Sequence, residues 1–183
     1  MGKPFEFDRE KAAITPENYA LYRIGWITDD FLGTRKFVEK IRFNEDIVDG
    51  DEYNFFIKLL HQPFKCFLID DVLSLRRIHN DSISILNKLN SNKYDSIIAA
   101  LKYQTANDLT KFNNIKLIRW FLSGYMQYAF KLSSAKCNIP YFFSAFKLIK
   151  KYFSIFKGIT FLMSLFTAKF FNSGYRLLKY SRT

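Results

Sequence analysis

From Leu109 to Thr183 the chain carries 13 lysines and arginines and no aspartate or glutamate. The other 108 residues hold 15 basic and 17 acidic side chains, so the formal net charge of +11 arises from this one region. Apolar residues recur at three- and four-residue spacing through most of the second half of the chain. This periodicity predicts helices at roughly 83 to 107, 112 to 132 and 141 to 171.

Aromatic residues are abundant, with 21 Phe and 11 Tyr among 183 residues. So many aromatic side chains indicate more apolar surface than a small soluble core needs, and therefore a membrane face or a partner. The longest apolar run, 158 to 168, is bounded by Lys157 and Lys169 and would rise only about 16 Å as a helix, against about 30 Å for a bilayer core. We expect this region to lie at the membrane interface, where lysines meet anionic lipids. The residues expected to face the membrane are Lys147, Lys150, Lys151, Phe153, Phe156, Lys157, Phe161, Phe166 and Lys169.

The first half of the chain has a different pattern. TPEN at 15 to 18 is typical of a turn or a helix start, and apolar spacing with Pro63 beyond it predicts a short helix from Asp51 to His61. The next two segments, 64 to 70 and 72 to 79, are predicted to be strands. Cys66 and Cys137 are expected to be free thiols in a reducing cytoplasm, and no signal peptide is evident at the N-terminus.

Three motifs follow one another over residues 37 to 84. They are an I-R-F-x-E lead-in (Ile41, Arg42, Phe43, Glu45), an acidic pair that opens an aromatic helix (Asp51, Glu52, Tyr53) and a strand that ends in R-x-H-x-x-S (Arg77, His79, Ser82). In this order and spacing they resemble the C-terminal half of the catalytic domain of family 2 glycosyltransferases. That family consists of inverting, nucleotide-sugar-dependent enzymes of the GT-A fold, many of which build capsules, O-antigens and other bacterial surface polysaccharides.

The resemblance implies an α+β fold with three parts: a polar segment at 1 to 20, an incomplete GT-A (Rossmann-like) remnant with a few short strands at 21 to 84, and a basic helical extension at 85 to 183. It also implies transfer of a sugar from a nucleotide-sugar donor to a glycan or lipid-linked acceptor, with Asp51 or Glu52 as catalytic base. Arg77 and His79 would lie near the donor diphosphate, and His79 would join a Mg²⁺ or Mn²⁺ site in a complete enzyme.

The likeness covers only the acceptor side of such a domain, because the nucleotide-binding strands and the D-x-D metal motif have no counterpart before residue 37. We therefore expect either a fragment or a chain whose partner supplies the nucleotide-binding half, and no transferase activity in isolation. The expected location is the cytoplasmic side of the membrane, as a peripheral protein.

Simpler interpretations stay open. Asp51 and Glu52 could be ordinary helix N-terminal acids, and Arg77 with His79 could be a solvated strand end. The chain could also be a non-enzymatic helical module whose basic, aromatic C-terminal region binds anionic membrane or a protein. Nucleic acid is the weaker partner, because no RNP-like or Gly/Arg-rich motif accompanies the basic residues.

Overall fold

The computed structural model describes residues 13 to 66, 87 and 89 to 183. They divide into two compact units: unit 1 contains residues 13 to 44 and 50 to 66, and unit 2 contains residues 45 to 49, 87 and 89 to 183. Unit 1 contains helices α1 (Pro16–Ala20), α2 (Arg35–Val38) and α3 (Asp51–Leu59), with a 3₁₀ turn at Thr28–Asp30. Unit 2 contains α4 (Ser91–Leu109), a 3₁₀ turn (Thr110–Phe112), α5 (Ile115–Ser134), α6 (Phe142–Tyr152), α7 (Ile155–Phe171) and α8 (Tyr175–Arg182).

The expected α+β fold with short GT-A strands is wrong for the part of the chain that the structure describes, which forms helices and no strand. The strand prediction depended on residues 64 to 70 and 72 to 79. Of these, only 64 to 66 are described; they have no regular structure, and Lys65 and Cys66 are exposed where a buried strand was expected. Elsewhere the apolar residues keep three- and four-residue spacing and helix caps are present, and both favour helices.

Unit 1 is built around one aromatic cluster. The ring of Phe56, fully buried on α3, has its centroid 5.8 Å from those of Tyr19 and Trp26 and 5.2 Å from that of Phe31. The hydroxyl of Tyr53 donates a hydrogen bond to the carbonyl oxygen of Ala20 at 2.5 Å. These contacts hold α3 against α1 and fix the position of the acidic first turn of α3.

Unit 2 is a helical bundle in which α4 packs along α5, and α5 also contacts α6, α7 and α8. Its fully buried side chains include Phe121, Tyr125 and Phe161. Ser133 Oγ on α5 donates to the carbonyl oxygen of Leu165 on α7 at 2.9 Å. Since that hydrogen bond is buried, it fixes which side of α7 faces the bundle.

The helix predicted at 141 to 171 is instead two helices, α6 and α7. Phe153 leaves helical geometry (φ −105°, ψ −81°), and Ser154 is extended and caps α7 by accepting a hydrogen bond from the Lys157 N–H. A serine cap satisfies an N–H group that the start of a new helix leaves unpaired, so the chain can turn here at little cost. The break separates the aromatic residues of α6 from those of α7.

Candidate functional site

The two predicted catalytic acids occupy the first turn of α3. Gly50 precedes them in the left-handed region (φ 87°) and provides no side-chain cap. Glu52 Oε1 accepts a hydrogen bond from the hydroxyl of Thr28, on the 3₁₀ turn of unit 1. Glu52 is therefore tied to a neighbouring segment, which is a structural role.

Asp51 is half-buried beside Glu52, and its carboxylate forms no hydrogen bond or ion pair with the residues that the structure describes. A carboxylate in the first turn of a helix interacts favourably with the helix dipole. Such a group can accept a proton from a hydroxyl placed within hydrogen-bond reach. Of the two acids, Asp51 is the better placed for that chemistry.

Arg77 and His79, the expected diphosphate and metal residues, lie outside the described residues. Within residues 13 to 66, 87 and 89 to 183, no group of three or more His, Cys, Asp or Glu side chains could hold a metal ion. Asp49, which with Gly50 and Asp51 forms a D-x-D sequence at the start of α3, accepts a hydrogen bond from Asn87 Nδ2 at 3.3 Å. The expected Mg²⁺ or Mn²⁺ site depended on His79 and therefore stays a prediction.

A second candidate site lies on α7 in unit 2. Five large apolar residues at alternating three- and four-residue spacing stand on one side of this helix and are exposed to solvent, which we call the exposed α7 face. Its members are Phe156 (76% exposed), Ile159 (50%), Met163 (54%), Phe166 (56%) and Phe170 (62%). Monomeric soluble proteins rarely leave so continuous an apolar surface uncovered.

The side of α7 that faces the bundle has the opposite character. Three of its five buried residues are the small Gly158, Ser164 and Ala168. A Cβ at position 158 would lie 3.1 Å from Lys150 Cγ and 3.2 Å from a ring carbon of Phe146, so α6 and α7 pack closely there. In a water-exposed helix the largest apolar side chains face the core; in α7 most of them face outward.

The hydroxyl groups of α7 add little polarity to its surface. Thr160 Oγ1 donates to the carbonyl oxygen of Phe156 at 2.9 Å, and Thr167 Oγ1 donates to that of Met163 at 2.9 Å. Hydrogen bonds of this kind satisfy the side chain within its own helix. They allow both residues to enter an apolar environment without losing a partner.

The lysines expected to meet lipid are placed in two ways. Lys147, Lys150 and Lys151 on α6 and Lys169 on α7 are exposed. Lys157 is half-buried, and its Nζ donates a hydrogen bond to the carbonyl oxygen of Tyr180 at 2.6 Å. The same Nζ lies 3.6 Å from the centre of the Tyr180 ring. Lys157 thus joins α7 to α8.

The expected aromatic residues also divide. Phe156 and Phe166 belong to the exposed α7 face, but Phe161 is fully buried and Phe153 is half-buried with the Arg119 guanidinium 5.8 Å from its ring centre. The sequence prediction for Phe161 differs from the structure because both sides of α7 are apolar, so spacing alone does not identify the outward side. The prediction of membrane-facing residues also missed Ile159, Met163 and Phe170. In the sequence, the only sign that these residues face outward is that small residues occupy the opposite side of the helix.

Comparisons of the chain with protein-family models, curated proteins and solved structures gave no match. Among the helices that the structure describes, none has both the length and the hydropathy to cross a membrane.

Proposed function

We propose that the chain binds the surface of an anionic membrane, with the exposed α7 face entering the boundary between headgroups and acyl chains. One observation carries the proposal: three of the five buried residues of α7 are small, whereas five large apolar residues of the same helix are at least half exposed. Helices that lie in a membrane interface have this arrangement, with an apolar side in the acyl boundary and basic residues at the headgroups.

The apolar contribution is large enough for binding. Full burial of a Phe, Ile or Met side chain contributes about 1.5 to 3 kcal/mol. The five residues of the exposed α7 face are each at least half exposed, so their partial insertion supplies several kcal/mol. Each lysine or arginine near an anionic surface adds about 1 kcal/mol.

Charge favours lipid over two other partners. A second copy of the chain docked on the same face would bring together two regions that each carry 13 basic and no acidic residues, and like charges repel. RNA would offer phosphates, but its bases stack on flat aromatic rings, and Ile159 and Met163 lie in the centre of the face. An anionic lipid surface matches both the charge and the aliphatic residues.

The test is flotation of the full chain with phosphatidylcholine vesicles that either contain or lack phosphatidylglycerol. The diagnostic variant carries Phe156→Ser, Ile159→Ser and Met163→Ser together. The matched control carries Leu32→Ser, Val48→Ser and Ile115→Ser, which change exposed apolar residues outside α7. Circular dichroism checks that both variants fold.

We expect the wild type and the control to float with anionic vesicles, and the α7 variant to lose at least about tenfold in partition coefficient, since tenfold corresponds to only about 1.4 kcal/mol. Equal flotation of all three proteins would contradict the proposal. So would a wild type that does not float but forms a dimer that the α7 variant dissociates, or one that binds RNA tightly without lipid.

A second proposal concerns the resemblance to family 2 glycosyltransferases. We propose that Asp51 accepts the acceptor hydroxyl proton in sugar transfer, with a nucleotide-binding half supplied by another polypeptide. The support is the division of roles at the start of α3: Thr28 holds Glu52, whereas the Asp51 carboxylate forms no hydrogen bond or ion pair within the described residues.

This proposal is tested with a complex containing the full chain and a polypeptide that carries a D-x-D nucleotide-binding half. Asp51→Asn is expected to lower nucleotide-sugar turnover by at least about 100-fold, the usual contribution of a general base. Glu52→Gln is expected to keep most of the turnover, because the amide oxygen of Gln can still accept the hydrogen bond from Thr28. Full turnover with Asp51→Asn would exclude Asp51 as the base.

A further inference from the structure

An open groove of about 820 Å³ lies in unit 2 between the start of α6 and the second half of α7. Its apolar lining includes Phe142 and Phe143 of α6 and Phe166 and Phe170 of α7. Phe143 is 78% exposed, so the groove opens toward solvent at this side. The size lies within the range of about 300 to 1,000 Å³ that small-molecule sites occupy.

Two cations line the same groove. Lys136 lies in the connection after α5, Lys169 lies near the end of α7, and both are exposed. No aspartate or glutamate is among the described residues that line the groove. A ligand that matches this lining has an anionic group beside an apolar chain.

We propose that the groove binds one anionic lipid, with its phosphate at Lys136 and Lys169 and its acyl chain along the Phe lining. Phe166 and Phe170 belong both to the groove and to the exposed α7 face, so a lipid can pass from the bilayer into the groove without exposing its chain to water. The inference rests on the proposed membrane binding for the source of the lipid. It adds a site that recognises a single molecule.

The energetic argument concerns the acyl chain. A phosphate at an exposed surface is strongly solvated, and exposed ion pairs contribute only about 0 to 1 kcal/mol. Each buried CH₂ group contributes about 0.8 kcal/mol. The apolar chain therefore supplies most of the affinity, and the two lysines select an anionic headgroup.

Cys137 gives a direct readout because it lines the groove and is a free thiol, while the exposed free thiol Cys66 serves as internal reference. The full chain is treated with a thiol-alkylating reagent in the presence of decyl phosphate below its critical micelle concentration. We expect alkylation of Cys137 to slow at least about fivefold in a saturable manner, and alkylation of Cys66 to stay unchanged. Inorganic phosphate is expected to give no protection, and decyl maltoside at least tenfold weaker protection.

The diagnostic variant is Lys136→Gln with Lys169→Gln, for which the half-protecting concentration of decyl phosphate is expected to rise at least about tenfold. The matched control, Lys111→Gln with Lys116→Gln, changes exposed lysines outside the groove and is expected to behave like the wild type. Equal protection by inorganic phosphate would identify a simple anion site and overturn the inference. Equal protection by decyl maltoside, or no protection at all, would also overturn it.

The two proposals can fail separately. Phe156, Ile159 and Met163 do not line the groove, so the variant that removes them is expected to lose vesicle binding and to keep protection by monomeric decyl phosphate. Flotation of the wild type without protection of Cys137 would leave membrane binding intact and reject the groove. Protection without flotation would reject membrane binding and, with it, the bilayer as the source of the lipid.

Discussion

The rings of Phe166 and Phe170 have centroids 4.7 Å apart, yet the two residues are 56% and 62% exposed. Neighbouring aromatic rings one helical turn apart form a continuous apolar surface. Since Phe166 and Phe170 are both more than half exposed, their contact lies at the surface of α7 and not in the core. The contact leaves two large apolar rings of α7 exposed, where a partner can cover them.

Salt is expected to weaken binding to anionic vesicles but not to abolish it. Raising NaCl from about 0.1 M to about 1 M shortens the Debye length from about 10 Å to about 3 Å, which screens the exposed lysines. We expect the partition coefficient with phosphatidylglycerol vesicles to fall at least about tenfold, while residual binding through the exposed α7 face persists. Binding that salt leaves unchanged would show that the basic residues take no part.

The turn between α7 and α8 depends on Gly174. This residue has φ 99°, and a Cβ there would lie 2.0 Å from Thr167 Oγ1. Both the strained backbone and the clash disfavour a side chain, so Gly174→Ala is expected to lower the free energy of unfolding by about 1 to 3 kcal/mol. Urea denaturation measures the change. Gly25→Ala is the matched control, because no atom lies within 4 Å of the added Cβ; an equal loss in both variants would contradict this explanation.

The hydroxyl of Tyr53 is expected to matter for the stability of unit 1. Tyr53→Phe removes the hydrogen bond to the carbonyl oxygen of Ala20 and leaves that buried acceptor without this donor. The expected cost is about 1 to 3 kcal/mol. In a thermal melt the control Tyr180→Phe, at an exposed residue, should match the wild type. A Tyr53→Phe protein as stable as the wild type would show that the bond contributes nothing net.

The stability of unit 2 is expected to rise with pH because of Lys102. Burial lowers the pKa of Lys102 to about 8, and its Nζ lies 4.3 Å from the ring centre of Trp120. Between about pH 8 and about pH 10 the unfolded chain holds a proton on this lysine that the folded chain has lost, so the free energy of unfolding increases with pH by at most about 1.4 kcal/mol per unit. Above about pH 10 the trend reverses, because burial raises the pKa of Tyr125 and the folded state keeps its phenolic proton.

Urea denaturation of Lys102→Met and of Lys111→Met tests this assignment. Lys102→Met should lose the rise between about pH 8 and about pH 10, whereas Lys111→Met, at an exposed residue, should keep it. The same rise in both variants would assign the pH dependence to another group.

Local patterns predicted much of the helical structure. The Thr15-Pro16 start of α1 and the start of α3 at Asp51 were confirmed, because caps and spacing are local properties. The break at Ser154 was missed, since apolar residues continue at helical spacing across it. The contact between Thr28 and Glu52 joins residues 24 positions apart, and no local pattern carries that information.

The outward side of α7 could not be predicted from apolar spacing, because both sides of the helix carry large apolar residues. Phe156 lies on one side and is exposed, whereas Phe161 lies on the other and is buried. Close packing bears on the orientation: a Cβ added at Gly158 would lie 3.1 Å from Lys150 Cγ and 3.2 Å from a ring carbon of Phe146, and Ser164 and Ala168 are buried on the same helix. Small residues on one side of a helix and large apolar residues on the other therefore indicate, in a sequence, a helix whose large apolar side can face away from the core.

The most direct test places an environment-sensitive fluorophore on a single cysteine at position 163 or at position 107, in a chain with Cys66→Ser and Cys137→Ser. Met163 lies on the exposed α7 face, and Asn107 is exposed near the end of α4. With anionic vesicles that contain brominated acyl chains, membrane insertion of α7 predicts a blue shift and strong quenching at position 163 and neither at position 107. A vesicle-bound chain whose label at position 163 stays in water would contradict the central claim.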